Sequence, residues 1–153
     1  MDVTADLDAP CPTAQLFSWV ATLERYTRWL DIVAKAVPAD PHPDDTGPAW
    51  QVDLRGRLGP LARSKRLRMV RTTFEEPTRV TFERVEHDGR DHSPWVLDAT
   101  VAELVAGEGS RLTMRLHYGG SLWGPVLERL LGDEISKSRE GLLACVAGEP
   151  QTA

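Results

Sequence analysis

Residues 2–9 alternate strictly, with Val3, Ala5, Leu7 and Ala9 on one face and Asp2, Thr4, Asp6 and Asp8 on the other. That period of two predicts a half-buried strand. At Pro12-Thr13 the period lengthens. Leu16, Phe17, Val20 and Leu23 fall at helical spacing and predict a helix; Glu24 to Leu30, with Tyr26, Trp29 and Leu30, predicts a second short helical turn. Residues 32–37 (IVAKAV) read as another strand. The segment 38–48 holds four prolines, three aspartates and a glycine. Such a composition excludes regular structure and predicts a loop suited to mobility.

A meander follows. Trp50, Val52 and Leu54 alternate with Gln51, Asp53 and Arg55 before a break at Gly56 to Gly59-Pro60. Leu67 and Met69 belong to a basic strand ending near Phe74 and the Glu76-Pro77 turn, and Val80 and Phe82 mark the next. His87-Asp88-Gly89-Arg90 predicts a hairpin turn on its Asp-Gly pair. Trp95, Leu97, Ala99 and Val101 define one further strand; Leu112, Met114, Leu116 and Tyr118 define the last, after a turn at Gly107-Glu108-Gly109. Beyond Gly119-Gly120 the period becomes 3.6. Leu122, Val126, Leu127, Leu130, Leu131, Ile135, Leu142, Cys145 and Val146 form one stripe of a helix reaching about residue 147. Pro125 falls in its first turn, where a missing N–H leaves no bond unmade. Gly132 and Gly141 each weaken such a helix by about 1 kcal/mol relative to Ala, and close approach of another backbone would account for them.

One long helix is available to cover the apolar face of five or six antiparallel strands, which predicts an α+β layer architecture. A sheet curved around a helix leaves space its own side chains do not fill. An apolar cavity suited to a hydrophobic small molecule is therefore expected there. Strand parity turns Trp50, Val52, Leu54, Leu67, Met69, Phe82, Trp95, Leu97, Met114, Leu116 and Tyr118 inward, and Val80 and Leu112 with them. Arg71 shares the parity of Leu67 and Met69. From the helix, Leu127 and Leu131 complete the expected ligand-binding set, with Trp123 at the mouth.

The stretch Leu16-Phe17-Ser18-Trp19-Val20, followed by Leu23-Glu24-Arg25-Tyr26-Thr27-Arg28-Trp29-Leu30, resembles the opening of the START/SRPBCC (birch-pollen-allergen-like) superfamily. Within that superfamily the chain looks most like the bacterial polyketide cyclase/dehydrase and lipid-transport group, and the later elements match in order. The resemblance implies a helix-grip fold: a curved antiparallel sheet wrapped around a long C-terminal helix, with two short helices after the first strand. It also implies a ligand that is lipid, isoprenoid or polyketide-like. Carriers, cyclases, hydrolases and regulators all share this fold, so function has to be argued from the site. A polyketide aromatase/cyclase is the enzymatic alternative, with Arg71 and Tyr118 as the polar groups that would polarise a carbonyl or orient a substrate.

Composition narrows the field. The 153 residues suit a single domain spanning 1–153. No run approaches the roughly 18 apolar residues of a membrane span, and the acidic start MDVTADLDAP is unlike a signal peptide. Two cysteines, Cys11 and Cys145, are too few for a disulfide framework, which favours a soluble protein in a reducing cytoplasm. A homodimer is compatible with everything above. Five tryptophans outnumber three phenylalanines and two tyrosines, a surplus of large rings that suits a flat apolar ligand.

Charge is unevenly distributed. Residues 1–53 hold nine acids against three bases, whereas 54–74 hold seven bases and no acid. This basic island, 55–71, could serve a partner-binding regulatory module, or simply pair with acids on neighbouring strands. Without interleaved aromatic rings it offers single-stranded nucleic acid no stacking platform, and nucleic-acid binding is not expected. His87 and His92 bracket a turn, His42 sits in the proline loop where solvation is expected, and His117 has outward parity. No metal site, cofactor or catalytic residue is assigned from them. A Gly-x-Ser-x-Gly nucleophile turn is absent, and the Gly-x-Gly at 107–109 opens no helix as a nucleotide loop would.

Overall fold

The computed structural model describes the backbone of residues 2–58, 61–119 and 124–148; within these, it describes side chains outside 57–58, 61–63, 106, 124–132 and 135. Strand β1 (Asp2–Ala9) leads into helix α1 (Thr13–Ser18) and a 3₁₀ turn, Leu23–Arg28. Strands β2 (Val33–Pro38), β3 (Ala49–Leu58), β4 (Leu61–Glu75), β5 (Arg79–Arg84), β6 (Trp95–Glu103) and β7 (Ser110–Tyr118) follow, and α2 (Gly124–Gly148) closes the order. Among the described residues the strands form one antiparallel sheet in the order β1-β7-β6-β5-β4-β3-β2. It curls into a half-barrel around α2, so the chain's first strand pairs with its last.

Register carries the inward parity from strand to strand. Val3, Ala5 and Leu7 stand opposite Leu116, Met114 and Leu112, which stand opposite Leu97, Ala99 and Val101. On the other half, Val52 faces Leu67 and Trp50 faces Met69. Because side chains alternate with period two, a slip of one residue would expose this whole set, and burial therefore specifies the register.

The first helical segments cap one end of the sheet. α1 packs on β6 and β7, and the 3₁₀ turn packs on β2. Leu16, Phe17, Val20 and Tyr26 are fully buried there. The Tyr26 hydroxyl donates to the Val20 carbonyl at 2.9 Å, and the Trp29 indole donates to the Trp19 carbonyl at 3.1 Å. Burial pushes the Tyr26 hydroxyl pKa far above its ordinary value. α2 crosses this layer at Gly141, where a β-carbon would sit 3.1 Å from the Trp29 carbonyl oxygen. The glycine thus permits the close backbone approach that its position in the helix suggests.

Three local expectations change and a fourth gains detail. Gly56 does not break β3; it pairs with Arg63 inside the ladder, which continues to the pair Leu58 and Leu61. Between β5 and β6 runs a ten-residue connection, residues 85–94, rather than a tight hairpin. The Asp-Gly turn survives inside it, with Gly89 at φ 72° and Asp88 accepting from the Arg90 N–H, but Arg84 reaching the Ser93 carbonyl holds the flanking chain open. The proline-rich loop 39–48 is pinned, not free. Asp45 accepts two hydrogen bonds from the Arg68 guanidinium, at 2.9 and 2.7 Å, and both side chains are buried. Lastly, the His42 side chain, 39% exposed as its loop position predicts, is also stacked face to face on His87, centroids 3.6 Å apart, and His87 Nε2 lies 3.0 Å from Asp45 Oδ1.

Candidate functional site

Between the curled sheet and α2 lies an open cavity of about 120 Å³. Period-two parity builds its walls. Val3, Ala5 and Leu7 of β1 and Leu112, Met114 and Leu116 of β7 line one side, and Trp95 and Leu97 of β6 continue it. Opposite them stand Val52 and Leu54 of β3, Leu67 and Met69 of β4, and Val33 of β2. The 3₁₀ turn and its exit supply Leu23, Tyr26, Trp29, Leu30 and Ile32. From α2 come Glu134, Ser138, Arg139 and Leu142, and Asp6 reaches the rim from β1.

Nine residues expected from parity stand in this lining: Val52, Leu54, Leu67, Met69, Trp95, Leu97, Leu112, Met114 and Leu116. Five others, Val80 among them, do not. Trp50 is core: its indole N–H donates to Glu24 Oε1 at 2.8 Å, and its ring meets Phe82 edge-on at 5.6 Å. Phe82 in turn meets Tyr26 edge-on at 6.2 Å, and Tyr26 packs on Trp29 at 4.9 Å. This continuous aromatic plug seals the capped end, where inward residues meet the first helical segments instead of open space. Tyr118 is buried against Trp95, ring centroids 5.3 Å apart.

Arg71 keeps its register, opposite Phe82, and so belongs to the capped end; the β4–β5 shift falls only after it, between Arg71 and Thr73. Its guanidinium donates to the Ala21 carbonyl at 2.9 Å and lies 4.0 Å over the Phe74 ring. Trp123 lies outside the described residues. Leu127 and Leu131 lie on the described backbone of α2, but their side chains are outside it.

Besides the 3₁₀ turn, its exit and Val33, the parity argument passed over two groups of lining residues. β1 shows its apolar face plainly in the alternation of Val3, Ala5 and Leu7, and pairing with β7 is what brings that face to the cavity. The second group is polar. Glu134, Ser138 and Leu142 follow one another at intervals of four, so they share one helix face. Ser138 and Leu142 are buried. Two polar residues interrupting an apolar stripe are a readable signal, and here they mark the helix wall of the cavity.

Charges gather at the edges. Lys65 has inward parity, and its Nζ stands 5.7 Å from the Trp95 ring centroid. Burial, reinforced by the Arg84 charge and opposed by Glu86, holds its ammonium below the ordinary lysine pKa. In the basic island, Arg66 pairs with Asp53 across the β3–β4 ladder at 3.0 Å, and Arg68 is spent on Asp45. His92 contacts Asp88, and His117 contacts Asp2 on the outer face. Among the described residues no cluster of three or more His, Cys, Asp and Glu side chains is arranged to hold a metal ion. Nor is any described helix long and apolar enough to cross a membrane.

The model of the family described as polyketide cyclase / dehydrase and lipid transport matches residues 1–146. The chain belongs to this family. Solved structures agree on the family's START-like helix-grip fold. A START superfamily protein from Mycobacterium smegmatis superposes with a TM-score of 0.70 at 14% identity, covering 95% of this chain and 97% of that one. A protein from Chromobacterium violaceum gives 0.67 at 12% identity, with 97% and 98% covered. One from Deinococcus radiodurans gives 0.65 at 13% identity, with 95% and 98% covered. At these identities the likeness concerns the fold. No curated protein matches the chain.

Proposed function

We propose that this family member binds and carries a hydrophobic small molecule, of lipid, isoprenoid or polyketide-like character, in the cavity between sheet and α2. One observation carries the reading. Apart from Asp6, Glu134, Ser138 and Arg139, every described lining side chain is aliphatic, thioether or aromatic, and the single phenol among them, Tyr26, is already bonded to Val20. Burying an apolar ligand against such walls contributes roughly 25 cal/mol per Å². Acid–base catalysis needs a proton donor or acceptor within reach of the reacting atoms. Arg71 and Tyr118, the groups a cyclase reading depends on, are engaged outside the lining, so the carrier reading is the better supported of the two. The regulatory reading of residues 55–71 has less support still, because Arg68 is an interior side chain.

Ligand binding to the folded state alone raises stability by RT ln(1 + [L]/Kd), or about 2.7 kcal/mol at a hundredfold excess over Kd. Thermal unfolding in the presence of long-chain alcohols or polycyclic aromatics is expected to shift upward, and to keep rising with the logarithm of ligand concentration. A melting temperature indifferent to every such ligand would sink the carrier reading. Native mass spectrometry of protein purified from its own cells would identify the cargo.

A further inference from the structure

Lys65 brings a positive charge to the edge of the cavity. It pairs with Leu54 across the β3–β4 ladder and shares the parity of Leu67 and Met69, so its side chain leaves β4 on the concave side of the sheet. The outermost pair of the β4–β5 ladder is Met69 and Arg84. Beyond that pair the Lys65 side chain leans past β5 to reach Trp95 of β6, its Nζ 5.7 Å from the ring centroid. Leu54, Leu67 and Trp95 all line the cavity, and Lys65 stands half-buried at the edge they form. Two other charges act on it, Arg84 and Glu86, but these are bound to each other at 2.7 Å and cancel as a pair. The neighbouring bases of β4 are matched, Arg66 with Asp53 and Arg68 with Asp45. Among the described residues Lys65 has no ion-pair partner of its own.

We infer that the ligand carries a single carboxylate, which pairs with the Lys65 ammonium at this edge while its apolar part lies against the walls. The charges match one to one. With Arg84 and Glu86 offsetting each other, one cation remains; it suits a monoanion and leaves a phosphate monoester, close to doubly charged at neutral pH, half unmatched. Burial disfavours the Lys65 ammonium, and an opposite charge within about 4–6 Å favours it again, so a carboxylate relieves a strain that the free protein carries. An ion pair bordered by apolar side chains is screened less than one in open water. The flexible stem of lysine lets its ammonium follow the anion. A neutral alcohol, ester or hydrocarbon gains none of this. Arg139 of α2 also lines the cavity, but two carboxylates, Asp6 and Glu134, line it too, and that set repels an anion. This inference rests on the carrier reading and adds to it the charge of the cargo.

The test uses two isomers, octanoic acid and methyl heptanoate, which share composition but differ in charge at neutral pH, where the acid is ionised. Each is titrated against the fluorescent apolar dye N-phenyl-1-naphthylamine bound to the full chain. Lys65→Met, which keeps an unbranched stem and removes the charge, is expected to weaken octanoate binding about tenfold and to leave methyl heptanoate within about twofold of wild type. Arg139→Met is expected to leave both within about twofold. Octanoate binding unmoved by Lys65→Met overturns the inference, as does a wild type that takes up the dye but is indifferent to octanoate; the carrier reading survives both. Equal weakening of acid and ester overturns it too, because the loss is then one of shape and not of charge. A loss of octanoate confined to Arg139→Met overturns the assignment to Lys65. If wild type takes up neither dye nor isomer, the carrier reading itself fails. Should Lys65→Met not fold, Lys65→Gln carries the same comparison.

Discussion

Arg68 and Asp45 illustrate how one residue's charge can become structural. Arg68 lies in the most basic stretch of the chain, yet it is only 7% exposed and reaches across to the proline-rich loop. The Arg68 hydrogen bonds hold the Asp45 carboxyl far below the usual carboxylate range; burial opposes them, and His87 and the His42 N–H add to them. The Arg68 pKa is raised by the same pairing. A carboxylate with a depressed folded-state pKa stabilises the protein above its unfolded value, about 3.9, and loses that contribution as pH falls through the folded value. Asp45→Asn is therefore expected to destabilise the protein by about 3 kcal/mol at pH 7. The gap between variant and wild type should be unchanged at pH 5 and narrow below about pH 4. Urea unfolding at pH 7, 5 and 3 measures it; a gap that widens in acid would contradict the assignment.

Among the elements, turns and crossings impose demands that strand periodicity does not express. Gly109 enters β7 at φ 124°, and a β-carbon there would collide with the Ala9 carbonyl at the end of β1. Gly89, at φ 72°, has nothing within 4 Å of that position. The two separate backbone strain from steric conflict. Gly89→Ala is expected to lower stability by about 1 kcal/mol, the cost of a left-handed conformation. Gly109→Ala should lower it distinctly more, because the clash is with backbone that cannot swing away. Denaturant midpoints of the two variants check the order, and the reverse order would contradict the β1–β7 junction described above.

Over the whole molecule, the same inward parity serves two purposes. At the capped end, Trp50, Phe82 and Tyr26 fill space; toward the other end, Leu97, Met114 and Leu116 border space. Substitutions in the two regions should diverge. Phe82→Ala removes a fully buried ring and is expected to destabilise the fold by about 3–5 kcal/mol. Leu116→Trp, pointing extra volume into existing room, is expected to leave stability nearly unchanged while weakening dye and ligand binding at least about tenfold. Calorimetry and dye titration on both variants separate these outcomes. A Leu116→Trp protein that binds the dye as wild type does would show that the ligand sits elsewhere.

Much of this arrangement is legible along the chain. Alternation from Val3 to Leu7 and from Leu112 to Tyr118, the change of period after Gly120, and the aromatic signature from Phe17 to Trp29 determine the strands, the long helix and their order. Period-two and period-3.6 spacing follow from local backbone geometry, which a sequence encodes directly. Tertiary structure alone decided which inward residues meet open space. Trp50 and Leu54 share a strand and a parity, but the 3₁₀ turn covers one and not the other. The Ala21 carbonyl at the capped end took up Arg71, a pocket candidate, and a distant aspartate turned a surface arginine into an interior one. Occlusion and charge pairing join residues far apart in sequence, so no local pattern records them; only packing the helices onto the sheet separates the wall of a cavity from the plug that seals it.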